Sequence, residues 1–200
     1  SVQVTLYSFD KEIHNRLVGG DHFDETVRGI RNAIEAGLDV SINTPLCSLN
    51  SDYVETIKFG QSLGVKYFSS SGLIPSGNAL NEDSIITKLS REEIYKVICE
   101  AHQYAKENDL EIAFTSPGWI SERNLKILGM VVPSCGACLS NMAVCPNGDV
   151  VPCQSWLNGQ TLGNLLEDDW KKIWNNKETK KIRNLAATKK QVCLLKGGSK

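Results

Sequence analysis

Strand-like and helix-like segments alternate regularly through the first 114 residues of this 200-residue chain. Residues 2–7 alternate as a β-branched strand does, and Phe23–Ala36 then carries apolar side chains at helical spacing. The same patterns predict strands at 40–46, 65–69 and 110–114, and helices from an Asn50 or Ser51 cap to about Leu63 and from a Ser90 cap to about Asn108. Single helices therefore separate successive strands.

This alternation predicts an α/β fold with a parallel sheet, because parallel neighbours need a crossover connection, and such crossovers are right-handed. Four strands are too few to close an eight-stranded barrel. They form either an open sheet or the later half of a partial (β/α) TIM-like barrel. A small cysteine-rich domain, made of a β-hairpin and helices, follows. We place the barrel segment at residues 1–130 and the cysteine-rich domain at 131–200.

Four of the seven cysteines lie within nineteen residues, at Cys135, Cys138, Cys145 and Cys153. The first two share one tight turn. An Asn-Gly sequence predicts a type I′ turn in a hairpin over residues 142–153, which would bring Cys145 and Cys153 near each other. Four thiolates suit either structural zinc or an iron–sulfur cluster, and the spacing alone does not decide between them.

The location that this cysteine usage predicts is cytoplasmic. The amino-terminal residues lack the features of a secretory signal, and clustered cysteines without one indicate a reducing compartment. Cys47 and Cys99 stand alone in strand-like and helix-like segments, so we assign them no role beyond that of small hydrophobic residues. His14 is predicted to lie in a loop at the surface.

Charge is distributed unevenly along the chain. Residues 1–169 hold 12 basic and 22 acidic side chains, whereas residues 170–200 hold 10 basic and one acidic. We interpret the basic block as a solvated helix face with no nucleic-acid partner, because no aromatic interleaving accompanies it. No apolar run approaches the roughly 18 residues that span a bilayer, so no membrane partner is predicted. The oligomeric state stays open.

The cysteine segment carries a family resemblance. From Cys138 the sequence runs C-x9-G-x4-C through Gly148 to Cys153, followed by Leu-Gly-Asn-Leu and a helix in which Trp170, Ile173 and Trp174 are predicted to face inward. This segment resembles the start of the SPASM extension of radical S-adenosylmethionine (SAM) enzymes. The earlier strands and helices are similar to the middle of that family's partial TIM barrel in order and approximate spacing.

The resemblance implies an auxiliary 4Fe-4S cluster bound by cysteines of this segment. It also implies a parent enzyme that cleaves SAM to a 5′-deoxyadenosyl radical and modifies a peptide or protein substrate. Cys145 would either complete a local four-cysteine site or stand beside three ligands. Cys193 lies about where the family's second cysteine group begins, and is either a ligand or an unrelated thiol. Thr5, Asn43, Leu73 and Ile74 would line the SAM pocket.

One defining feature of that family is missing from this sequence. A C-x3-C-x2-C loop holds the cluster that donates an electron to SAM, and this spacing occurs nowhere in the chain. We therefore expect a fragment of a radical SAM enzyme that is inactive by itself. The alternative is a non-enzymatic βα domain with a structural zinc site and a basic partner-binding tail.

Overall fold

The computed structural model describes residues 1–73, 88–156, 160–188 and 193. The chain folds into two compact units. The first comprises residues 1–73 and 86–131, and the second comprises residues 74–85 and 132–200. Within the described ranges, every helix is too short or too polar to cross a lipid bilayer.

The first unit is built on a four-stranded parallel sheet in the order β1-β2-β3-β4. Helices connect the strands, so the α/β fold with a parallel sheet that the sequence predicts is confirmed. The strands are β1 Val2–Thr5, β2 Val40–Leu46, β3 Tyr67–Gly72 and β4 Glu111–Phe114, and the helices are α1 Lys11–Val18, α2 Phe23–Glu35, α3 Tyr53–Ser62, α4 Arg91–Glu107 and α5 Glu122–Ile127.

The two faces of this sheet differ in chemistry. Along β2 every second residue is buried, and these residues face the helices, where Ile42, Leu46 and Phe68 form part of the apolar core. Between them stand the half-buried Ser41 and Asn43, which face the other side. Parallel sheets in proteins are usually apolar and covered on both faces. This sheet instead has one packed apolar face and one polar, partly exposed face.

Helix α1 differs from the sequence prediction. Asp10 caps it by accepting hydrogen bonds from the amides of Glu12 and Ile13, and Gly19 ends it in the left-handed region at φ 81°. The placement of His14 in a surface loop is wrong, because His14 lies on this helix and is buried. The helix has only eight residues, most of them polar, so it gives a weak periodic signal.

Asn50 also has a different role from the predicted helix cap. Helix α3 begins after Asp52, and Asn50 ends a short 3-10 helix before it. The buried Asn50 side chain donates hydrogen bonds to the carbonyls of Tyr7, at 2.8 Å, and Pro45, at 3.0 Å. Its own amide oxygen accepts from the Cys47 amide at 2.8 Å. Asn50 therefore joins the chain just after β1 to the end of β2.

The second unit packs a small antiparallel sheet and two helices around one apolar cluster. Ile173 is buried, as predicted, but Trp170 is 44% exposed and stacks on Trp174 with the ring centroids 5.6 Å apart. The prediction that Trp170 faces inward is therefore wrong. The elements are β5 Ala143–Val144, β6 Asp149–Val151, β7 Gly163–Asn164, α6 Trp170–Asn175 and α7 Lys177–Thr188, and the buried cluster comprises Ala137, Cys138, Val150, Leu162, Ile173 and Ile182.

Gly60 tests the packing of α3 on the sheet. A Cβ atom at Gly60 would lie 2.6 Å from Phe68 Cε1 and 2.8 Å from Ile42 Cδ1. We expect Gly60→Ala to lower the free energy of unfolding by about 1–3 kcal/mol through overpacking. In Gly29→Ala, the matched control on α2, the new methyl group meets nothing within 4 Å. This control should stabilise the chain by about 0.5–1 kcal/mol. Urea unfolding measures the free energy of unfolding of both variants, and an equal change in the two would contradict this packing of α3.

Candidate functional site

A tight turn presents the first two clustered cysteines. The Gly136 carbonyl accepts hydrogen bonds from the amides of Leu139, Ser140 and Asn141 at 2.9–3.1 Å. Cys138 lies in the left-handed region at φ 54°. Its amide donates to the carbonyls of Asn141, at 3.0 Å, and Pro152, at 3.1 Å. The turn is therefore held against the chain that leaves β6, next to Cys153.

Three thiols share one apolar environment. Cys138 is fully buried in the core of the second unit, and Cys135 and Cys153 are partly buried against the same cluster. Burial raises the pKa of Cys138 to about 11, and the charges of Cys153 and Cys135 also raise it, whereas Arg183 lowers it. Burial likewise raises the pKa of Cys153, and the charges of Cys193 and Cys135 raise this pKa further. The group of interacting thiols thus comprises Cys135, Cys138, Cys153 and Cys193.

Cys145 lies apart from this group. Its amide donates to the Asp149 carbonyl at 2.8 Å, at the start of β6, whereas Cys153 follows the end of that strand. Cys153 lies four positions after Asp149 in the chain, which corresponds to about 13 Å in an extended strand. The prediction that the hairpin brings Cys145 and Cys153 near each other is therefore wrong, because the register places them at opposite ends of β6.

The hairpin turn also differs from the predicted type I′ turn. A type I′ turn needs positive φ at both central residues, here Asn147 and Gly148, and only Gly148 has it, at 88°. The Gly148 amide donates to the Cys145 carbonyl at 2.9 Å, so Pro146 and Asn147 are the central residues. Proline favours the second position of a type I turn and glycine the fourth, which explains this shift by one residue.

Asn164 holds this turn in place. Its side-chain amide donates to the Asn147 carbonyl at 3.0 Å and to Asp149 Oδ1 at 3.1 Å, and its oxygen accepts from the Leu166 amide at 2.8 Å. A Cβ atom on Gly148 would lie 2.6 Å from Asn164 Oδ1, so only glycine fits beside this amide. These contacts give the Leu-Gly-Asn-Leu segment a structural role.

We expect Asn164→Ala to lower the free energy of unfolding by about 1–3 kcal/mol, because three hydrogen bonds of its side chain are lost. Asn175→Ala is the matched control, since that side chain makes one bond, to the Lys171 carbonyl at 2.9 Å. The control should cost less than about 1 kcal/mol. Urea unfolding followed by tryptophan fluorescence compares the two variants. Equal losses would show that Asn164 does not clamp the turn.

The candidate metal-binding side chains of the second unit are cysteine thiols. Cysteine thiolates are the ligands of 4Fe-4S clusters, so the interacting thiols fit such a group chemically. Among the described residues, no three His, Cys, Asp or Glu side chains stand in an arrangement ready to hold a single metal ion. The geometry therefore brings Cys135, Cys138 and Cys153 to one core, with Cys193 acting on Cys153, without a compact single-ion site.

In the first unit, two predicted SAM-pocket residues are direct neighbours. Thr5 pairs with Asn43 in the register of β1 and β2, and Asn43 pairs with Ser69 in the register of β2 and β3. Ser69 Oγ donates to Asn43 Oδ1 at 3.0 Å, and Gln3 Nε2 donates to Ser69 Oγ at 3.4 Å. These residues form a polar row across three strands on the partly exposed face.

Of the two further pocket predictions, one is described by the structure. Leu73 directly follows Gly72 and is half-buried, whereas Ile74 lies outside the described residues. The Gly72 amide donates to Ser116 Oγ at 3.0 Å, which joins the ends of β3 and β4. Ser69 is not among the four residues predicted for this pocket, although it begins the run of three consecutive serines in β3.

Residues 135–194 match the SPASM family, described as an iron-sulfur cluster-binding domain. The chain carries a SPASM domain. The matched segment begins at Cys135 and ends one residue after Cys193, so it encloses every thiol of the interacting group. This match supports the iron–sulfur alternative, and nothing in the comparisons supports zinc.

Solved structures share this fold. SuiB of Streptococcus suis, crystallised with S-adenosylmethionine, superposes with a TM-score of 0.68 at 18% identity over 92% of this chain and 44% of SuiB. anSMEcpe, crystallised with AdoMet, superposes with a TM-score of 0.66 at 17% identity over 92% of this chain and 50% of anSMEcpe. Both proteins are radical SAM enzymes with SPASM domains. The predicted resemblance and the partial-barrel fold class are therefore confirmed.

A curated relative, the probable GTP 3′,8-cyclase of Sulfurisphaera tokodaii, is 33% identical over 101 residues. The aligned region covers 50% of this chain and 32% of the relative. The chain therefore spans about half the length of the solved structures and about a third of this relative.

Proposed function

We propose that the SPASM domain holds an auxiliary 4Fe-4S cluster through Cys135, Cys138, Cys153 and Cys193. The observation that carries this proposal is the packing of Cys135, Cys138 and Cys153 on one buried core. Cys193 is included because its charge acts on Cys153. The family match, which encloses all four, supports it. Cys145 is a bystander in this proposal, because the hairpin register places it at the far end of β6.

The cluster would supply electron transfer or a site for substrate ligation. The chain's own residues provide its surroundings. Burial of Cys138 excludes water from one side of the site, and the two hydrogen bonds from the Cys138 amide fix the position of that thiol. Burial also favours the neutral thiol in the metal-free protein, so cluster binding must be coupled to release of protons from the cysteines.

We propose that the polar row of Thr5, Asn43 and Ser69 lines the SAM pocket of the parent enzyme, together with Leu73. Ligands of parallel α/β folds bind at the carboxyl ends of the strands. Thr5 ends β1, and Asn43 is its register partner on β2. Two neighbours that span 92% of this chain were crystallised with S-adenosylmethionine or AdoMet, which supports the assignment.

The parent protein, in this proposal, cleaves SAM reductively to modify a peptide or protein. SuiB has been crystallised with its precursor peptide SuiA, and anSMEcpe with peptides. Those structures cover at least 90% of this chain, whereas the GTP cyclase aligns with 50% of it, so we favour a peptide over a nucleotide. Because the sequence contains no C-x3-C-x2-C spacing, we propose that this chain alone does not cleave SAM.

We also propose a cytoplasmic location. All seven cysteines are free thiols, and an iron–sulfur site needs its thiols kept reduced.

Iron and sulfide analysis after anaerobic reconstitution tests the cluster. We expect about four iron and four sulfide per chain in the wild type, and at least a two-fold loss in each of Cys138→Ser, Cys153→Ser and Cys193→Ser, because a thiolate ligand is removed. Cys145→Ser is the matched control and should keep the wild-type content.

Two results would contradict the assignment. Loss of iron in Cys145→Ser, with retention of iron in Cys193→Ser, would show that Cys145 and not Cys193 is the fourth ligand. One zinc per chain with no iron would overturn the cluster and favour the alternative of a structural zinc site in a binding protein.

A further inference from the structure

Arg183 is connected to the cysteine site by three contacts. Its Nε donates to the Cys138 carbonyl at 2.8 Å, and Nη2 donates to the Trp174 carbonyl at 2.9 Å. The guanidinium carbon also lies 3.8 Å from the centroid of the Trp174 ring, which places the cation over the aromatic face. Two directed hydrogen bonds and one stacking contact leave this side chain little freedom.

This environment separates Arg183 from the other basic residues of α7. Lys177, Lys180 and Lys181 are exposed, and Lys181 pairs with Glu178 at 3.6 Å. Arg183 is half-buried and points to the turn that carries Cys138. A lysine could not reproduce its contacts, because an ammonium group lacks the planar fork that bonds two carbonyls while it stacks on a ring.

The charge of Arg183 is held next to the turn that carries Cys138. The guanidinium stays protonated at all physiological pH values, and its Nε lies 2.8 Å from the Cys138 carbonyl oxygen. The site therefore places one fixed positive charge beside a group of thiols that become negative when they bind metal.

We propose that Arg183 is a positioning residue of the cluster site, which fixes the Cys138 turn and raises the midpoint potential of the bound cluster. The proposal rests on the proposed function, in which Cys138 is a cluster ligand. The potential of an iron–sulfur cluster depends on local charge, hydrogen bonding and exposure to solvent. A nearby cation stabilises the reduced state more, because that state carries one more negative charge.

The test is a redox titration of the reconstituted full chain, followed by electron paramagnetic resonance. Arg183→Gln removes the charge and the stacked cation. We expect about a tenfold shift of the redox equilibrium towards the oxidised cluster, which equals about 59 mV for a one-electron couple. Arg183→Lys keeps the charge but loses the fork, so a smaller shift in the same direction is expected. Lys180→Gln, which removes one exposed charge from the same helix, should leave the potential unchanged.

Several results would overturn the proposal. A wild-type potential in Arg183→Gln would show that Arg183 only supports the fold, since a structural role alters cluster content and stability without moving the potential. An equal shift in Lys180→Gln would assign the effect to the net charge of α7. If Arg183→Gln holds no cluster, Arg183→Lys decides: because this variant keeps the charge, a potential about 59 mV or more below that of the wild type, or loss of the cluster there as well, would overturn the proposal.

Iron and sulfide are measured in the wild type before the titration. A wild type without iron would refute the proposed cluster, and the inference about Arg183 with it. An iron-loaded wild type whose potential does not respond to Arg183 would refute the inference alone.

Discussion

The cysteine site depends on the backbone amide of Cys138. This amide faces the carbonyls of Asn141 and Pro152, and it can do so because Cys138 adopts a left-handed conformation. Non-glycine residues rarely occupy that region, so the surrounding turn must compensate the strain. The compensation comes from the Gly136 carbonyl, which accepts three amides of the same turn, and from burial of Cys138 in the core. Without this arrangement, the two cysteine segments would have no fixed relation.

An analogous constraint orders the first unit, where side chains replace backbone groups as the links between strand ends. Buried Asn50 holds the chain after β1 to the end of β2, and Thr44 Oγ1 donates to the Leu6 carbonyl at 2.8 Å. Ser116 serves the same purpose between β3 and β4. Parallel strands end at a common edge where the ladder stops, so their last carbonyl and amide groups need such partners. The polar side chains at these strand ends therefore have a structural role.

Local signals allowed much of this architecture to be predicted from the sequence. Ser90 and Glu93 form the expected capping box of α4, and the β2 strand has the predicted bounds. The predictions failed where tertiary contacts decide between local alternatives. His14 is buried because its Nδ1 accepts from the Tyr7 amide at 3.2 Å and its ring packs edge-on against Phe23, and no periodicity encodes such a contact. The predicted turn of the hairpin is wrong for a similar reason, because Pro146 and Gly148 permit a turn that is shifted by one residue.

In the basic carboxyl-terminal block, the sequence likewise does not show which of the charged side chains acts on the cysteine site. Ten basic side chains in residues 170–200 look equivalent in a sequence count. In the fold, Lys177 and Lys180 are exposed, and their charge is largely screened by solvent. Arg183 instead lies between the Trp174 ring and the Cys138 carbonyl, where a partly buried charge interacts more strongly with its neighbours. The electrostatics of the thiol group therefore depend on where one arginine is held, which the net charge of the block does not reveal.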